Sequence, residues 1–472
     1  MKSALVASTV SLVIFAPLAR AEFGTDEQRF RDLYKELVET NTTLSAGSCT
    51  LAAERMSARL KGAGLPDSDL HVFSAPDHPK EGGLVAVFPG RDKQSKAILL
   101  LAHIDTIEAK REDWTRDPFK LVEENGNFYA RGAMDDKAEA AIWVDTLVRL
   151  SEEKKRPKRT IKMALTCGEE TAGAFNGAEW LSKNRRDLID AAFAINEGAS
   201  GEFDAQGNRV LLQVQAGEKT PQDFRLEVTN KGGHSSRPVK DNAINRLAVA
   251  LSRIAAYEFP AQFSDGNRAY FIGMAKLQAA KGATDIAAAM NSFVHNPNDT
   301  KAIDLVSAKD PSWNAMLRTT CIATMLDAGH ATNALPQRAG ANINCRIFPG
   351  VTQETVRLQL EKLVADPAVV VTKAATRGPS SSAPPLSGEI MKPLEKLAAQ
   401  FWPSVPVVPM MQPGATDGQF LNAAGIPTYG IEAIFVGPDL GNIHGLNEYV
   451  NVKSLLQGRE FMYRLVKAYA EQ

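Results

Sequence analysis

Cysteine is scarce in this chain: 472 residues carry four, Cys49, Cys167, Cys321 and Cys345. Their spacing matches no zinc knuckle and is too sparse for a disulfide-built scaffold. Cys167 and Cys345 fall in apolar strand patterns and are expected to be buried thiols; no pair stands out as a disulfide. Net charge is nearly absent as well, at −1, which leaves no electrostatic basis for a nucleic-acid partner or an anionic membrane surface. The cluster Lys154, Lys155, Arg156, Lys158 and Arg159 lies between a helix and a strand and reads as a solvated loop. Of the seven histidines, His71, His78, His295 and His330 match no motif.

Long apolar runs are missing beyond the N-terminus. There, Lys2 precedes an apolar stretch from Ala4 to Leu18, and Ala19-Arg20-Ala21 fits a small-x-small cleavage site. This reads as a secretory signal peptide over residues 1–21, too short in its apolar part for a membrane span. The mature chain is expected to be exported, periplasmic or secreted, with no span left after cleavage.

What is present is length, 44% hydrophobic residues and 23% charged ones, a composition suited to more than one globular core. Helical periodicity over Thr25–Glu39 and Leu51–Leu60 is followed by alternating strands and helices: strands at Leu84–Phe88, Ala97–Ala102, Thr160–Thr166, Ala191–Ile195 and Val210–Val214, and helices at Lys137–Leu150 and Ala178–Lys183. That alternation predicts an α/β fold with a mostly parallel central sheet. Near Gly217 the rhythm changes. Phe224–Thr229 and Ala341–Phe348 alternate apolar and polar residues, with helices at Asn242–Tyr257 and Gln353–Val364 and a strand at Ala368–Thr372. This predicts an inserted α+β domain over 218–378, between catalytic segments 22–217 and 379–472. Within it, roughly Pro260–Thr320 is Ala-, Asn- and Asp-rich and reads as an irregular elaboration of the insert.

The chemistry gathers at strand ends. Ala97–Ala102 runs into His103-Ile104-Asp105, where an imidazole has a carboxylate two residues away to orient it. Arg131-Gly132-Ala133-Met134-Asp135-Asp136-Lys137 opens a helix, and Asp136 suits its N-cap. Thr160–Thr166 leads to Gly168-Glu169-Glu170, two adjacent acids that are costly to bury without a cation. Ala191–Ile195 leads to Asn196-Glu197-Gly198, and His444 follows a Gly-Asn turn. Open α/β sheets place their sites at the carboxyl ends of strands. Two imidazoles and three carboxylates suit zinc, and manganese and cobalt accept the same donors. Five ligands exceed what one tetrahedral ion with an open position uses. They suit two ions sharing a carboxylate, with one acid of the Glu169-Glu170 pair left to move protons.

The ordered set H-x-D, G-x-x-D-D-K, G-E-E, N-E-G and a late His resembles the dizinc metallopeptidase family of glutamate carboxypeptidase, aminoacylase and succinyl-diaminopimelate desuccinylase, over nearly all of the mature chain. The resemblance implies a zinc-peptidase catalytic domain with an inserted α+β lid and dimerisation domain, and two Zn2+ per subunit. It places His103 and Glu197 on one zinc, Glu170 and His444 on the other, and Asp135 between them, with a cis peptide at Asp135-Asp136. It makes Asp105 the residue that orients His103 and Glu169 the general base. Gly232-Gly233-His234-Ser235-Ser236 resembles the segment whose His stabilises the oxyanion in a partner subunit, which implies a homodimer. Asn333, Arg346 and Thr416 match substrate-binding positions, Arg346 as a clamp on a substrate carboxylate. Two positions depart from the pattern: Glu108 stands where the family often has Pro, and the Gly-rich loop reads Gly414-Ala415-Thr416-Asp417.

Glu at position 197 and Arg at 346 resemble the carboxypeptidases and deacylases of that family. The expected activity is hydrolysis of the amide next to a free carboxylate, in short peptides or N-acyl amino acids. A deacylase for lipid-like or aromatic acyl groups is the alternative. A catalytically silent binding protein on the same fold is the third reading; it predicts a missing ligand or base, and none is missing.

Overall fold

The computed structural model describes residues 25–472 apart from 154, 172–173 and 377. The expected signal peptide lies outside the described residues. No described helix is long and apolar enough to cross a membrane.

A ten-stranded mixed sheet forms the larger body. Across it run Leu70–Ala75, His78–Phe88, Ile161–Thr166, Ile98–His103, Phe193–Asn196, Thr428–Gly430, Arg209–Glu218, Gly201–Phe203 and Phe435–Val436, with Val407–Gln412 also paired to Arg209–Glu218. The centre is parallel: Ile98–His103 lies between Ile161–Thr166 and Phe193–Asn196, and Thr428–Gly430 continues the direction. Those central strands are buried along their length, as strands covered on both faces must be. Helices Thr25–Glu39, Lys137–Glu152 and Val452–Ala470 cover one face with Phe30, Trp143, Phe461 and Tyr469 at 0% exposure. Ile189, Leu181 and Leu421 pack on the other.

A separate four-stranded antiparallel sheet has the order Thr320–Ala328, Arg338–Ile347, Thr220–Thr229, Val369–Thr376. Ile343, Cys345 and Ile347 point to its core with Phe224 and Leu226, against helices Ala243–Ala255 and Gln353–Val364. A two-residue ribbon pairs Gly233–His234 with Ala334–Leu335.

Two expectations are corrected here. The region 260–320 is not irregular. It holds helices Asp265–Ala280, Thr284–His295, Thr300–Lys309 and Pro311–Leu317. Their apolar sides share a core with Leu211, Val408 and Met410 of the large sheet, so the segment elaborates the large sheet rather than the small one. Gly273 allows the close approach: a Cβ there would meet Val408 at 3.0 Å. The cysteines are not free thiols either. Cys49 pairs with Cys167 and Cys321 with Cys345. The first ties a helix start to the end of strand Ile161–Thr166, two residues before Glu169. The second crosses two neighbouring strands at directly opposed positions.

Candidate metal centre

The parallel strands Ile98–His103 and Ile161–Thr166 end in register, His103 opposite Thr166, and Phe193–Asn196 ends beside them. The strand end at His103 and the loops that follow the other two therefore deliver His103, Glu169-Glu170 and Glu197 to one edge. Asp135 enters from the loop before helix Lys137–Glu152, through a cis Asp135-Asp136 peptide. His444 arrives from the loop before Tyr449–Asn451.

Asp135 is the hub. His103 Nε2 lies 3.0 Å from its Oδ1, and His444 Nε2 lies 3.2 Å from its Oδ2. Glu197 is 3.8 Å from His103 Nε2, and Glu170 is 2.8 Å from His444 Nε2. The donors thus form two overlapping groups that could each hold a metal ion, His103-Asp135-Glu197 and Asp135-Glu170-His444. The two differ in access: the His103 side chain is 1% exposed and the His444 side chain 54%.

Electrostatics favour a cation. Burial raises Glu197 well above the ordinary carboxylate range, with Glu169 and Asp135 adding to it, and burial raises Glu170. Burial pulls His103 down, but its bonds to Asp105 and Asp135 outweigh this and leave it well above its ordinary value. Bonds to Asp135 and Glu170 carry His444 up to about 10. Against the effect of burial, the two imidazoles hold Asp135 well below its usual range. So many carboxylates are tolerated together only with positive charge among them. Imidazole nitrogen and carboxylate oxygen are donors that zinc accepts, so the residues fit the metal pair expected.

The surrounding bonds fix this set. His103 Nδ1 faces the Asp105 carbonyl at 3.2 Å and its carboxylate at 3.5 Å. The same carboxylate accepts the backbone N–H groups of Glu169, at 3.4 Å, and Glu170, at 3.1 Å, so Asp105 ties two loops together. Asp136 stands at the helix start without capping it; its carboxylate accepts from His103 N at 3.2 Å. Glu169 is half-buried, and the desolvation raises it well above its usual range, with Asp417 and Glu170 adding to the rise. Asp417 accepts from Thr166 at 2.8 Å and Asn176 at 2.6 Å. Thr416 is buried, giving its amide and hydroxyl to Glu218 at 2.7 and 3.0 Å. Glu108, at the position of departure, accepts from Ser45 N and Oγ and ties down the loop after His103.

Sequence reasoning missed Glu448. Buried, it accepts from Gly132 N, Met134 N and Asp135 N at 3.0, 2.9 and 3.1 Å, and pairs with Arg131 at 2.6 Å. It holds the hub loop through its backbone. A lone Glu four residues after His444 carries no pattern that would announce this.

The small sheet and the separate two-stranded ribbon carry the other predicted residues apart from this cluster. His234 and Asn333 are exposed at the two-stranded ribbon, where His234 Nδ1 accepts from Ser236 N at 3.1 Å. Arg346 lies on the polar side of its strand, opposite Thr320 and Pro221, close enough to Lys219 to lower that ammonium further after burial, to about 7.

Residues 99–468 match the sequence profile of Peptidase family M20/M25/M40. The chain belongs to this family. It is a metallopeptidase-type amide hydrolase. Among M20 relatives, it is 29% identical over 385 residues to the N-fatty-acyl-amino acid synthase/hydrolase PM20D1 of Homo sapiens, covering 80% of this chain and 75% of that one. It is 26% identical to a probable carboxypeptidase S-like 2 of Dictyostelium discoideum, covering 81% and 74%. The fold is that of an M20 family metallo-carboxypeptidase from Sulfolobus solfataricus, with a TM-score of 0.69, 18% identity and coverage of 95% and 100%.

Proposed function

We propose that this chain hydrolyses the amide bond of N-acylated amino acids that keep a free carboxylate, at a two-zinc site. The observation that carries the reading is the placement of two imidazole nitrogens on the two oxygens of one carboxylate, Asp135, each with a further acid beside it. His103 and Glu197 would hold one ion, Glu170 and His444 the other, and Asp135 both. Zinc in such a site lowers the pKa of water and polarises a carbonyl.

The chain's own groups do the rest. Glu169, its proton affinity raised by burial, takes a proton from the attacking water and returns it to the leaving amine. Asp105 positions His103 and the Glu169-Glu170 backbone together. Arg346 clamps the substrate carboxylate, Asn333 contacts the substrate, and His234 of a second copy donates to the developing oxyanion. Thr416, the other residue matched to a substrate-binding position, holds its loop beside the site through its bonds to Glu218.

The homodimer this requires has a surface to form on. Strand Thr320–Ala328 is an edge of the small sheet, and Ile322, Met325 and Leu326 on it are 67%, 70% and 66% exposed. An uncovered apolar edge strand calls for a partner. We take 218–378 as the inserted lid and dimerisation domain, with its helices over 265–317 laid back on the large sheet, and 22–217 with 379–472 as the catalytic part. Two disulfides fit an oxidising compartment, consistent with export to the periplasm or beyond.

Peptides with a free C-terminus are the second reading, favoured by the carboxypeptidase names among the relatives. Hydrolysis of N-acyl amino acids and of dipeptides by the zinc-loaded protein separates the two. Faster turnover of N-acyl amino acids supports the proposal; turnover of peptides alone overturns it.

A further inference from the structure

Of the cavities beside the metal centre, one meets Glu169 and another meets Asp135 and Glu197. A cavity of about 550 Å3 is bordered by Glu169, Asn176, Asp417 and Phe420. Another, of about 350 Å3, is bordered by Asp135 and Glu197 and not by Glu169. Its walls include Met134, Met316, Met410, Val436 and Ile443. Three polar side chains on it, Glu432, Gln412 and Gln213, are engaged with neighbours. Glu432 accepts from Gly198 N, Gln412 donates to Gly198 O, and Gln213 donates to Glu202. With those three turned to neighbours, the side of the cavity formed by Met134, Met316, Met410, Val436 and Ile443 offers an incoming ligand apolar contact, while Asp135 and Glu197 mark its polar end.

We propose that this cavity holds the acyl chain of the substrate, and that helix Pro311–Leu317 supplies the wall that selects an aliphatic chain. The inference rests on the N-acyl amino acid reading above. Glu169 must reach the leaving amine, so the amine side of the scissile bond belongs with the cavity that Glu169 borders. The acyl side then extends into the cavity bordered by Asp135 and Glu197. Its volume has room for roughly a dozen water-sized groups, within the size range of small-molecule sites. Methionine suits a wall that must fit chains of several lengths, being unbranched and polarizable. Met316 and Ser312 come from the last of the four helices laid on the large sheet, so the segment 265–317 closes one side of the pocket. The helix is well anchored. Trp313 and Leu317 are buried, and Trp313 Nε1 donates to Tyr270 Oη at 3.2 Å.

The test uses zinc-loaded protein and a series of acylated amino acids from acetyl to dodecanoyl on one amino acid. Each added methylene is expected to raise kcat/KM about fourfold until the pocket is full. Met316→Trp fills the cavity from a buried position, and Ser312→Trp does so from an exposed one with little risk to folding. Both should cut decanoyl turnover at least tenfold and leave acetyl turnover within twofold. A second arm needs no turnover: neutral decanamide should bind the metal-free protein by calorimetry, and Met316→Trp should abolish that binding. A flat chain-length profile, or equal losses for acetyl and decanoyl substrates in both variants, overturns the proposal. If no N-acyl amino acid is turned over, the reaction proposed above fails, while the decanamide arm still decides whether the cavity takes an aliphatic chain.

Discussion

Around Asp135 on the large sheet, polar groups are held by several partners at once, whereas in the segment that forms the small sheet and its separate ribbon His234 and Asn333 stand exposed beside strands of two residues. Glu448 fixes the Asp135 loop through three backbone amides, and Asp105 fixes His103 and the Glu169-Glu170 turn. The difference separates two jobs. Groups that move protons or hold a metal must stay within a few tenths of an ångström of one geometry, and they sit where buried strands end in register. Groups that meet substrate can sit on a body that makes few demands on them until a ligand or a second copy arrives.

The largest expected effect lies on the large sheet. Glu169→Ala should lower kcat by about 10³- to 10⁴-fold while the purified protein keeps its full metal content, measured by elemental analysis. Metal lost along with activity would show that Glu169 belongs to the ligand set. On the small sheet, His234→Ala should lower kcat by about 10²- to 10³-fold. Mixing it with Glu169→Ala subunits should restore part of the activity, because each mixed dimer contains one intact site. No recovery on mixing would place His234 in the service of its own chain and remove the contrast. Arg346→Ala should raise KM by roughly 10- to 100-fold with a smaller change in kcat, the loss of a charge-assisted pair. A kcat effect as large as that of Glu169→Ala would put Arg346 in the chemistry.

The smallest effect is a difference between the two disulfides. Cys49–Cys167 spans 118 residues and Cys321–Cys345 spans 24. Chain entropy alone makes removal of the longer link costlier by about 1.4 kcal/mol. Denaturant unfolding of Cys49→Ser/Cys167→Ser and Cys321→Ser/Cys345→Ser checks it, and the first pair should also slow catalysis because the link ends two residues before Glu169. Equal activity in the two double variants would mean that the Glu169 loop is held without the disulfide.

Much of the large sheet was legible because buried parallel strands leave short apolar runs between amphipathic helices. Helices Thr25–Glu39 and Gln353–Val364 fall where the sequence puts them. Of the candidate donors, His103, Glu170 and Glu197 stand out because each lies at or just past the end of such a run, whereas Asp135 opens a helix and His444 follows a turn. The four helices over 265–317 were not, since their Ala-, Asn- and Asp-rich composition resembles a loop. The signals were at their starts: Ser264 and Asn267 form a capping box, Asp299 caps the third helix, and Asp310 precedes Pro311 at the first turn of the fourth. Those acids and amides cap helices. Glu448 and the disulfide pairing depend on contacts between residues 24, 118 and more than 300 positions apart, which no local pattern encodes.

The asymmetry between the two donor groups gives the most direct test of the two-ion account. Zinc content should be measured on the wild-type chain and on His444→Ala, His103→Ala and Asp135→Ala during stepwise chelation. Two ions per wild-type chain are expected, with the ion on half-exposed His444 leaving first. His444→Ala should keep one ion, and Asp135→Ala should hold neither tightly. A wild-type chain that saturates at one zinc, or a His444→Ala variant that still binds two, would contradict the shared-carboxylate centre on which the proposed chemistry stands.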